Sequence, residues 1–421
     1  QAPLSSSAQR AAMVYSLLHI ALGAAAVGVV SSARAGNIGA PTGGRLSIVV
    51  DAGSSGTRGY LFRLPSCEAR VQVDYLGDGP SLSNFSHRPE RAKEAVEPQL
   101  ELATTLVAPS DWASLTTSVF GTAGMRLTPL STQKAIYDGI RRGALGLGAL
   151  QARTISGREE GIFALISVNY LARRLRPSLR AASESLMGVL DLGGSSVQVV
   201  VPPVVRVGER LPPKLGRQHT VVRSLAGLGM DRMRQRTYRW LLGRAEPGQR
   251  SIPNPCAFSG DPSDEWHGTG NATACEAAIR DVFAAECVDG RGVDASGRRP
   301  SASECLGVEP VPVPFGLLGA ARFFLVSNFV TVILFGSWVL ERGLGPQALG
   351  LDQGLPGTVT IHELRAAAEA VCATPWASLR SARDPKAGHS LTPPEEVPHR
   401  CFELSYVVAL LAGVLGFNEA A

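Results

Sequence analysis

Two stretches of the chain share one pattern of apolar and polar positions. In each, a short apolar run ends in Asp-x-Gly, a small polar turn follows, and a second apolar run comes after it. The first copy occupies residues 46–62 and the second residues 187–201. Apolar runs joined by a Gly- and Ser-rich centre are typical of β-hairpins, so the pattern predicts two related hairpins.

The tips of such hairpins suit phosphate chemistry. Glycine lets the backbone approach a phosphate and turn its N–H groups toward it, and serine and threonine hydroxyls add donors. The aspartate that ends each first strand, Asp51 or Asp191, can hold a hydrated divalent cation. Two lobes that each present one hairpin to a shared cleft form the actin-like ATPase architecture. The alternative is a pair of ordinary structural hairpins.

Length and charge restrict the remaining classes. A chain of 421 residues with 45% apolar and 18% charged residues has enough material for two or three domains, or one bilobal unit. The net charge is +5, and the basic residues are scattered along the chain. Nucleic-acid-binding proteins usually gather such residues on one face, so we expect no nucleic-acid partner.

Three apolar stretches bear on membrane attachment. Met13–Val30 lacks acidic and basic side chains apart from His19, and Ala33-x-Ala35 follows it, which predicts a signal peptide or a single N-terminal anchor. Phe323–Leu340 is also free of charges, and a buried helix or strand pair is the alternative to a membrane span. Leu404–Phe417 is expected to be too short to span.

The seven cysteines contain no Cys-x-x-Cys pair, which argues against a zinc knuckle. In a translocated protein they indicate three disulfides, with Cys67 as the remaining free thiol. Two glycosylation motifs, at Asn84 and Asn271, agree with a lumenal or extracellular location.

Further blocks lie between and after the hairpins. Residues 119–127 read VFGTAGMRL, residues 155–163 read ISGREEGIF, residues 224–230 read SLAGLGM, and residues 401–417 begin CFELSYVVALL. Together with DAGSSGTR and DLGGSSVQ, these blocks resemble, in order, the motifs of the apyrase and nucleoside-diphosphatase family. The resemblance covers about residues 45 to 417 and is specific because four blocks occur in the right order.

This resemblance implies a fold, a reaction and a set of residues. The fold is α/β, with two RNase H-like lobes of the actin-like ATPase superfamily and a cleft between them. The reaction removes the terminal phosphate of nucleoside di- or triphosphates by direct attack of water, with Ca²⁺ or Mg²⁺. Glu160 matches the catalytic base, and Ser196 and Gln198 match residues that hold the attacking water. The residues that match phosphate contacts are Ser54, Ser55, Gly56, Thr57, Thr122, Ala123, Arg126, Gly193, Gly194, Ser195 and Val197.

The resemblance further implies that Asp51 and Asp191 bind the metal through water. For Arg126, a structural salt bridge is as plausible as a phosphate contact. The implied disulfides are Cys256–Cys287, Cys275–Cys305 and Cys372–Cys401. The domains are expected at 1–44 (leader or anchor with linker), 45–187 (first lobe) and 188–417 (second lobe, with a disulfide-rich insert at 250–310), followed by a tail at 418–421.

The chain departs from the family at two places. Gly56 stands where several cell-surface members carry histidine, so in this respect the chain is more similar to Golgi, plant and soluble members. Near Val330 many members have an aromatic pair, and here Phe329 or Trp338 is the candidate for stacking on the base. We therefore expect a nucleotide phosphohydrolase of the secretory-pathway lumen, anchored or secreted. The alternatives are an exopolyphosphatase or sugar kinase of the same superfamily, or a nucleotide-binding module without catalysis.

Overall fold

The computed structural model describes residues 45–417 apart from 65–70, 144–148, 177, 184–185, 212–219, 247–248, 250, 262, 264, 289–322, 342–358, 385–387 and 390. The predicted leader or anchor, the tail, Cys67, Cys305 and the side chain of Cys287 lie outside this part. Contacts group the chain into two compact units. One holds the described residues up to 226 together with 323–326, and the other holds the rest.

The strands are β1 Arg45–Ala52, β2 Thr57–Leu64, β3 Gln72–Gly79, β4 Thr116–Gly121, β5 Ala149–Thr154, β6 Gly188–Leu192, β7 Ser196–Val201, β8 Val221–Ala226, β9 Ile252–Asn254, β10 Trp266–Gly268 and β11 Phe323–Ser327. The α-helices are α1 Glu97–Leu106, α2 Ala123–Arg126, α3 Leu130–Gly143, α4 Gly157–Leu171, α5 Met230–Leu242, α6 Ala272–Val288, α7 Asn328–Glu341, α8 Ile361–Cys372 and α9 Arg400–Val408.

The five-stranded sheet of the first unit has the order β3-β2-β1-β4-β5. β1 pairs antiparallel with β2 and parallel with β4, so the sheet is mixed. Side chains of β1 alternate between two cores: Ile48 and Val50 pack on one face, and Val49 packs on the other. Because both faces are covered, β1 has the near-continuous apolar run that its sequence shows.

The four-stranded sheet has the order β11-β6-β7-β8, with β6-β7 and β7-β8 antiparallel. Helix α4 lies between the two cores of this unit. Its Phe163 packs with the five-stranded sheet, and its Ala164 and Leu165 pack with β6 and β7. The predicted lobe boundary near residue 187 therefore separates two sheets of one compact unit, and the lobe division itself remains a prediction.

The second unit corrects one expected disulfide pairing. Cys256 is bonded to Cys275, so the pairs Cys256–Cys287 and Cys275–Cys305 are wrong. Cys275 lies in the first turn of α6, 4.8 Å from Cys256 between Cα atoms. Cys287 lies twelve residues further along the same helix, which is about 18 Å at 1.5 Å per residue and beyond the reach of a disulfide. The expected Cys372–Cys401 bond is confirmed.

Two apolar stretches take up helices of the second unit. Phe323–Leu340 is not one continuous helix, because β11 occupies its first five residues and α7 begins at Asn328. Leu404–Phe417 was expected to be too short to span a membrane. In the structure it overlaps a helical run of 21 residues, Pro394–Val414, which is long and apolar enough to cross one. Of its most apolar window, 78% is buried inside the protein, so packing accounts for these apolar side chains.

Candidate active site

The two predicted hairpins have the same backbone geometry at their tips. The N–H of Gly53 donates to the carbonyl of Gly56 at 2.8 Å, and the N–H of Gly193 donates to the carbonyl of Ser196 at 2.9 Å. The registers also correspond, since Ala52 pairs with Thr57 and Leu192 with Val197. The repeated Asp-x-Gly pattern therefore gives the same turn twice.

Behind each tip, a row of three side chains crosses three strands. In the first sheet the row is Asp51, Arg58 and Asp78, and in the second it is Asp191, Gln198 and Ser224. Residues directly opposite each other on neighbouring strands present their side chains on the same face. Each predicted metal-binding aspartate therefore has a defined polar neighbour.

The start of α4 determines which glutamate faces inward. Ser156 caps the helix by accepting a hydrogen bond from the N–H of Glu159, whose carboxylate accepts one from the N–H of Ser156 at 2.9 Å. Glu159 also forms an ion pair with Arg153 at 2.7 Å. One position on, Glu160 turns into the protein and is only 6% exposed. Glu159 thus caps the helix, and Glu160 is the glutamate that points into the protein.

Glu160 sits in a network that includes both predicted water-holding residues. Its Oε2 accepts a hydrogen bond from Nε2 of Gln198 at 3.1 Å and forms an ion pair with Nη1 of Arg126 at 2.8 Å. Arg126 also donates to Oγ of Ser196 at 3.1 Å, and Gln198 donates to the same oxygen at 2.8 Å. The salt-bridge reading of Arg126 is the one that the contacts match, and Arg126 joins the first hairpin's neighbour α2 to the second hairpin.

The surroundings of Glu160 favour proton uptake. Burial, together with the negative charges of Asp191 and Asp51, raises the pKa of its carboxyl to about 7, while Arg126 opposes the rise. A carboxylate whose pKa is close to neutral can accept a proton from water and still be ionised in a large fraction of molecules.

The first hairpin tip adjoins the predicted Thr122 block. The N–H of Thr122 donates to the carbonyl of Ala52, and Gly124 approaches so closely that a Cβ there would lie 3.0 Å from Cα of Ser54. Ser54 is partly exposed and Ser55 is exposed. Their backbone and hydroxyl groups are therefore free of the core, and Ala123 is buried beside them.

Two predicted phosphate contacts have their side chains in the core instead. The hydroxyl of Thr57 donates to the carbonyl of Ala95 at 2.8 Å and accepts from Gln99 at 3.1 Å, and Thr57 is fully buried. Val197 is likewise fully buried. In the second tip, Gly193 and Gly194 are partly exposed, and Ser195 is 5% exposed. Thr57 and Val197 can thus meet a ligand only through their backbone.

The carboxylates of Asp51 and Asp191 are the candidate groups for binding a metal ion. Asp51 and Asp191 occupy equivalent positions, are 8% and 2% exposed, and both act on Glu160. Carboxylate oxygens are ligands that Ca²⁺ and Mg²⁺ prefer, so these two aspartates suit a divalent cation by their chemistry. The described residues contain no cluster of three or more histidine, cysteine, aspartate or glutamate side chains at direct-ligand spacing. Asp51 and Asp191 remain the candidates for holding a cation through water, as the resemblance implies.

A surface groove of about 510 Å³ adjoins Arg126 along α3 and β5. Its cationic side chains are Arg126, Lys134, Arg141 and Arg153. Each is paired with a carboxylate, namely Glu160, Asp138 (twice) and Glu159. Because each of these cations already has a carboxylate partner, we assign no phosphate to this groove.

The aromatic candidates for base stacking lie in the second unit. Phe329 is fully buried, so it cannot stack on a ligand. Trp338 is partly exposed and packs against Phe335 and His389. Of these two residues, only Trp338 therefore has exposed surface that could contact a base.

Sequence reasoning did not assign two residues that support the network. Ser224 Oγ lies 3.2 Å from Nε2 of Gln198, and Gly157 leaves room for it, because a Cβ on Gly157 would come within 2.0 Å of that oxygen. Both residues stand inside motifs that the sequence analysis quoted. The signal that would have found them is cross-strand register, which a single sequence does not provide.

Known proteins have sequences similar to that of this chain. Residues 38–209 match the model of the GDA1/CD39 (nucleoside phosphatase) family. The guanosine-diphosphatase of Schizosaccharomyces pombe is 26% identical over 399 residues, which are 87% of this chain and 67% of that protein. Ectonucleoside triphosphate diphosphohydrolase 8 of Bos taurus is 26% identical over 429 residues, which are 91% of this chain and 78% of that protein.

A solved structure shares the fold. Nucleoside triphosphate hydrolases from Neospora caninum match with a TM-score of 0.54 and 17% identity, covering 94% of this chain and 89% of that one. The predicted α/β fold class is therefore confirmed, and the resemblance read from the motifs is confirmed as well. Residues 38–209, which include both hairpins and Glu160, are thus similar in sequence to the GDA1/CD39 family of nucleoside phosphatases.

Proposed function

We propose that this protein hydrolyses the terminal phosphoanhydride bond of nucleoside di- and triphosphates by direct attack of water. The single observation that carries the proposal is the network of Glu160, Gln198 and Ser196, buried beside two hairpin tips of identical backbone geometry. Phosphoryl transfer needs positioning and charge stabilisation more than covalent chemistry, and this arrangement supplies both.

Glu160 is the general base in this mechanism. Its carboxylate removes a proton from the attacking water as the oxygen approaches phosphorus. Arg126 keeps the carboxylate ionised, because its positive charge lowers the pKa that burial raises. Oε1 of Gln198 is buried and accepts no hydrogen bond from the described part of the protein, so it can accept one from the same water. Two acceptors would then fix the direction of attack.

The hairpin tips hold the phosphates. Ser54, Ser55 and Gly56 meet the terminal phosphate, and Gly193, Gly194 and Ser195 meet the inner one. Thr57 and Val197 contribute through their backbone. The partial exposure of Ser54, Gly193 and Gly194 supports this role. Backbone N–H groups at a glycine-rich turn form concave anion sites without requiring a fixed cation.

Asp51 and Asp191 hold the divalent cation, Ca²⁺ or Mg²⁺, through water. When bound, the cation neutralises phosphate charge and withdraws electrons from the scissile bond. The two carboxylates orient the water molecules around it. Their burial at equivalent strand ends supports the assignment.

The site of action is the lumen of the secretory pathway or the cell exterior. The disulfides Cys256–Cys275 and Cys372–Cys401 support it, because disulfides persist in oxidising compartments. The asparagines of both glycosylation motifs, Asn84 and Asn271, are exposed. Membrane attachment through the N-terminal segment is the remaining part of this proposal.

The test is phosphate release by purified residues 36–421 with a panel of nucleoside di- and triphosphates and either Ca²⁺ or Mg²⁺. We expect release without any acceptor and its loss with a chelator. Release that required a sugar acceptor would favour a kinase, and release from polyphosphate but not from nucleotides would favour an exopolyphosphatase. Tight nucleotide binding without release would favour a binding module.

A further inference from the structure

Two glycines let helix α4 lie unusually close to the four-stranded sheet. A Cβ on Gly157 would come within 2.0 Å of Ser224 Oγ, and one on Gly161 would come within 2.8 Å of a methyl of Val222. These glycines are four residues apart, so they lie on one face of the helix. Because Glu160 stands between them, this close approach brings its carboxylate within reach of Gln198.

The amide of Gln198 has more acceptors around its nitrogen than it has N–H groups. Nε2 lies 2.8 Å from Ser196 Oγ, 3.1 Å from Glu160 Oε2 and 3.2 Å from Ser224 Oγ. An amide carries two N–H donors, so one of them is shared between the two hydroxyls. Ser196 Oγ also accepts a hydrogen bond from Arg126. Ser224, in contrast, has Gln198 as the partner that its hydroxyl contacts in this network.

The orientation of this amide matters for the reaction. With Nε2 toward Glu160, the carbonyl oxygen Oε1 is left as a buried acceptor without a described donor. The reverse orientation would place Oε1 against the carboxylate of Glu160, and two acceptors facing each other repel. A water held by both Glu160 and Gln198 requires the first orientation.

We propose that Ser224 is a positioning residue for the attacking water, because its hydroxyl holds the Gln198 amide in the orientation that leaves Oε1 free. Ser224 lies directly opposite Gln198 in the register of β7 and β8, on the strand at the sheet edge. It acts through Gln198 and touches no reacting atom. This inference rests on the proposed hydrolysis for its kinetic consequence.

The first experiment compares Ser224→Ala, Ser224→Thr and the control Ser47→Ala in steady-state phosphate release. We expect Ser224→Ala to lower kcat about 3- to 10-fold with little change in KM, as loss of one neutral hydrogen bond allows. Threonine keeps the hydroxyl, and because Ser224 is exposed its methyl has room on the solvent side, so kcat should recover. Ser47, a strand serine bonded to Thr116 at the far end of β1, should leave kcat unchanged.

A double-mutant cycle with Gln198→Ala tests the route of the effect. If Ser224 acts through Gln198, adding Ser224→Ala to Gln198→Ala lowers kcat no further. An additive loss, or a Ser224→Ala variant with wild-type kcat, would overturn the proposal.

The third measurement does not depend on turnover. In protein labelled with ¹⁵N-glutamine, the side-chain NH₂ signal of Gln198 is assigned as the one that Gln198→Ala removes. We expect Ser224→Ala to shift it, and Ser224→Thr and Ser47→Ala to leave it in place. A wild-type protein without phosphate release but with this shift would refute the proposed function alone. Normal release with an unmoved signal would refute the role of Ser224 alone.

Discussion

Burial of Glu160 raises the pKa of its carboxyl, and the positive charge of Arg126 opposes that rise. Removing a carboxylate from water favours its protonated form, and the charges of Asp51 and Asp191 act in the same direction. The guanidinium 2.8 Å away is the contact that opposes them. The fraction of molecules with an ionised base at neutral pH is thus a balance among a few named groups.

We expect Glu160→Gln to lower phosphate release by roughly 10²–10⁴-fold, the usual contribution of a positioned general base. Glutamine keeps the shape of the side chain but cannot take the proton, so metal–nucleotide binding should survive. Glu159→Gln is the matched control, because a glutamine at that position still completes the helix cap. Kinetics and separate nucleotide-binding measurements check both variants. Wild-type turnover in Glu160→Gln, or a large loss in Glu159→Gln, would contradict the assignment.

Arg126→Gln should move the acid limb of the pH profile of kcat/KM to higher pH. Arg126 lowers the pKa of Glu160, so loss of its charge raises that pKa and leaves less ionised base at any given pH. Arg126→Lys retains the charge and should move the limb less. The profile is measured at saturating metal, and a limb that stays in place or moves to lower pH would refute this balance.

Asp51→Asn should act on metal affinity more than on turnover. The substitution removes one of the two charges that hold the hydrated cation in the proposed site, so the metal concentration needed for half-maximal activity should rise. Extra Ca²⁺ or Mg²⁺ should restore much of the activity, as it would not for Glu160→Gln. A metal titration of phosphate release distinguishes the two variants. An Asp51→Asn variant that excess metal does not rescue would argue against the assignment.

At the scale of elements, the decisive contact is that of α4 with the four-stranded sheet. Glycines at 157 and 161 remove the side chains that would otherwise separate helix and strands, and the interval between Glu160 and Gln198 depends on that separation. The motif Gly-Arg-Glu-Glu-Gly therefore supplies Glu160 and also the two glycines that set its distance from Gln198.

Gly161→Ala should lower activity and cost about 1–3 kcal/mol of folding free energy, as overpacking of a tight core does. The new methyl would lie 2.8 Å from Val222 and 2.9 Å from Val200, and α4 must shift to accommodate it. Gly413→Ala is the control, because a Cβ at that helical position meets nothing within 4 Å. Denaturant unfolding and kcat are measured for both. Full activity in a destabilised Gly161→Ala would separate the helix position from catalysis.

How far the elements could be predicted follows from what local sequence carries. Both hairpins were predicted because alternating apolar runs and Gly-Ser turns are local signals. Glu160 was singled out by the family resemblance, and its inward turn is seen only in the structure. The burial of Thr57 did not, because its partners Ala95 and Gln99 come from a distant segment. Ser224 was missed for the same reason, since its role depends on strand register.

At the scale of the whole molecule, the disulfides Cys256–Cys275 and Cys372–Cys401 stabilise the second unit, and the network around Glu160 lies in the first. Both partners of each bond are fully buried. The pairing Cys256–Cys275 was not predictable from spacing, because four clustered cysteines allow three connectivities. What decides it is the direction of α6, which carries Cys287 away from Cys256.

Cys275→Ser should lower the free energy of unfolding by about 2–5 kcal/mol, the usual effect of losing a native disulfide in a small domain. Secretion should fall accordingly. Peptide mapping of the wild-type protein without reduction should recover a linked pair that contains Cys256 and Cys275. A linked peptide joining Cys256 to Cys287 would contradict the pairing.

The two hairpins have the same turn but different side chains behind it, so they can have different functions. The rows Asp51–Arg58–Asp78 and Asp191–Gln198–Ser224 start from the same aspartate on the same backbone, and they differ in the side chains that follow. Arg58 is a permanent cation that can only donate, whereas an amide can both donate and accept. The amide of Gln198 can therefore orient a water molecule as donor or as acceptor, whereas Arg58 offers donors only. The two turns thus have the same backbone hydrogen bond and differ in the side chains behind them. In the proposed reaction, this difference places the attacking water beside the second turn.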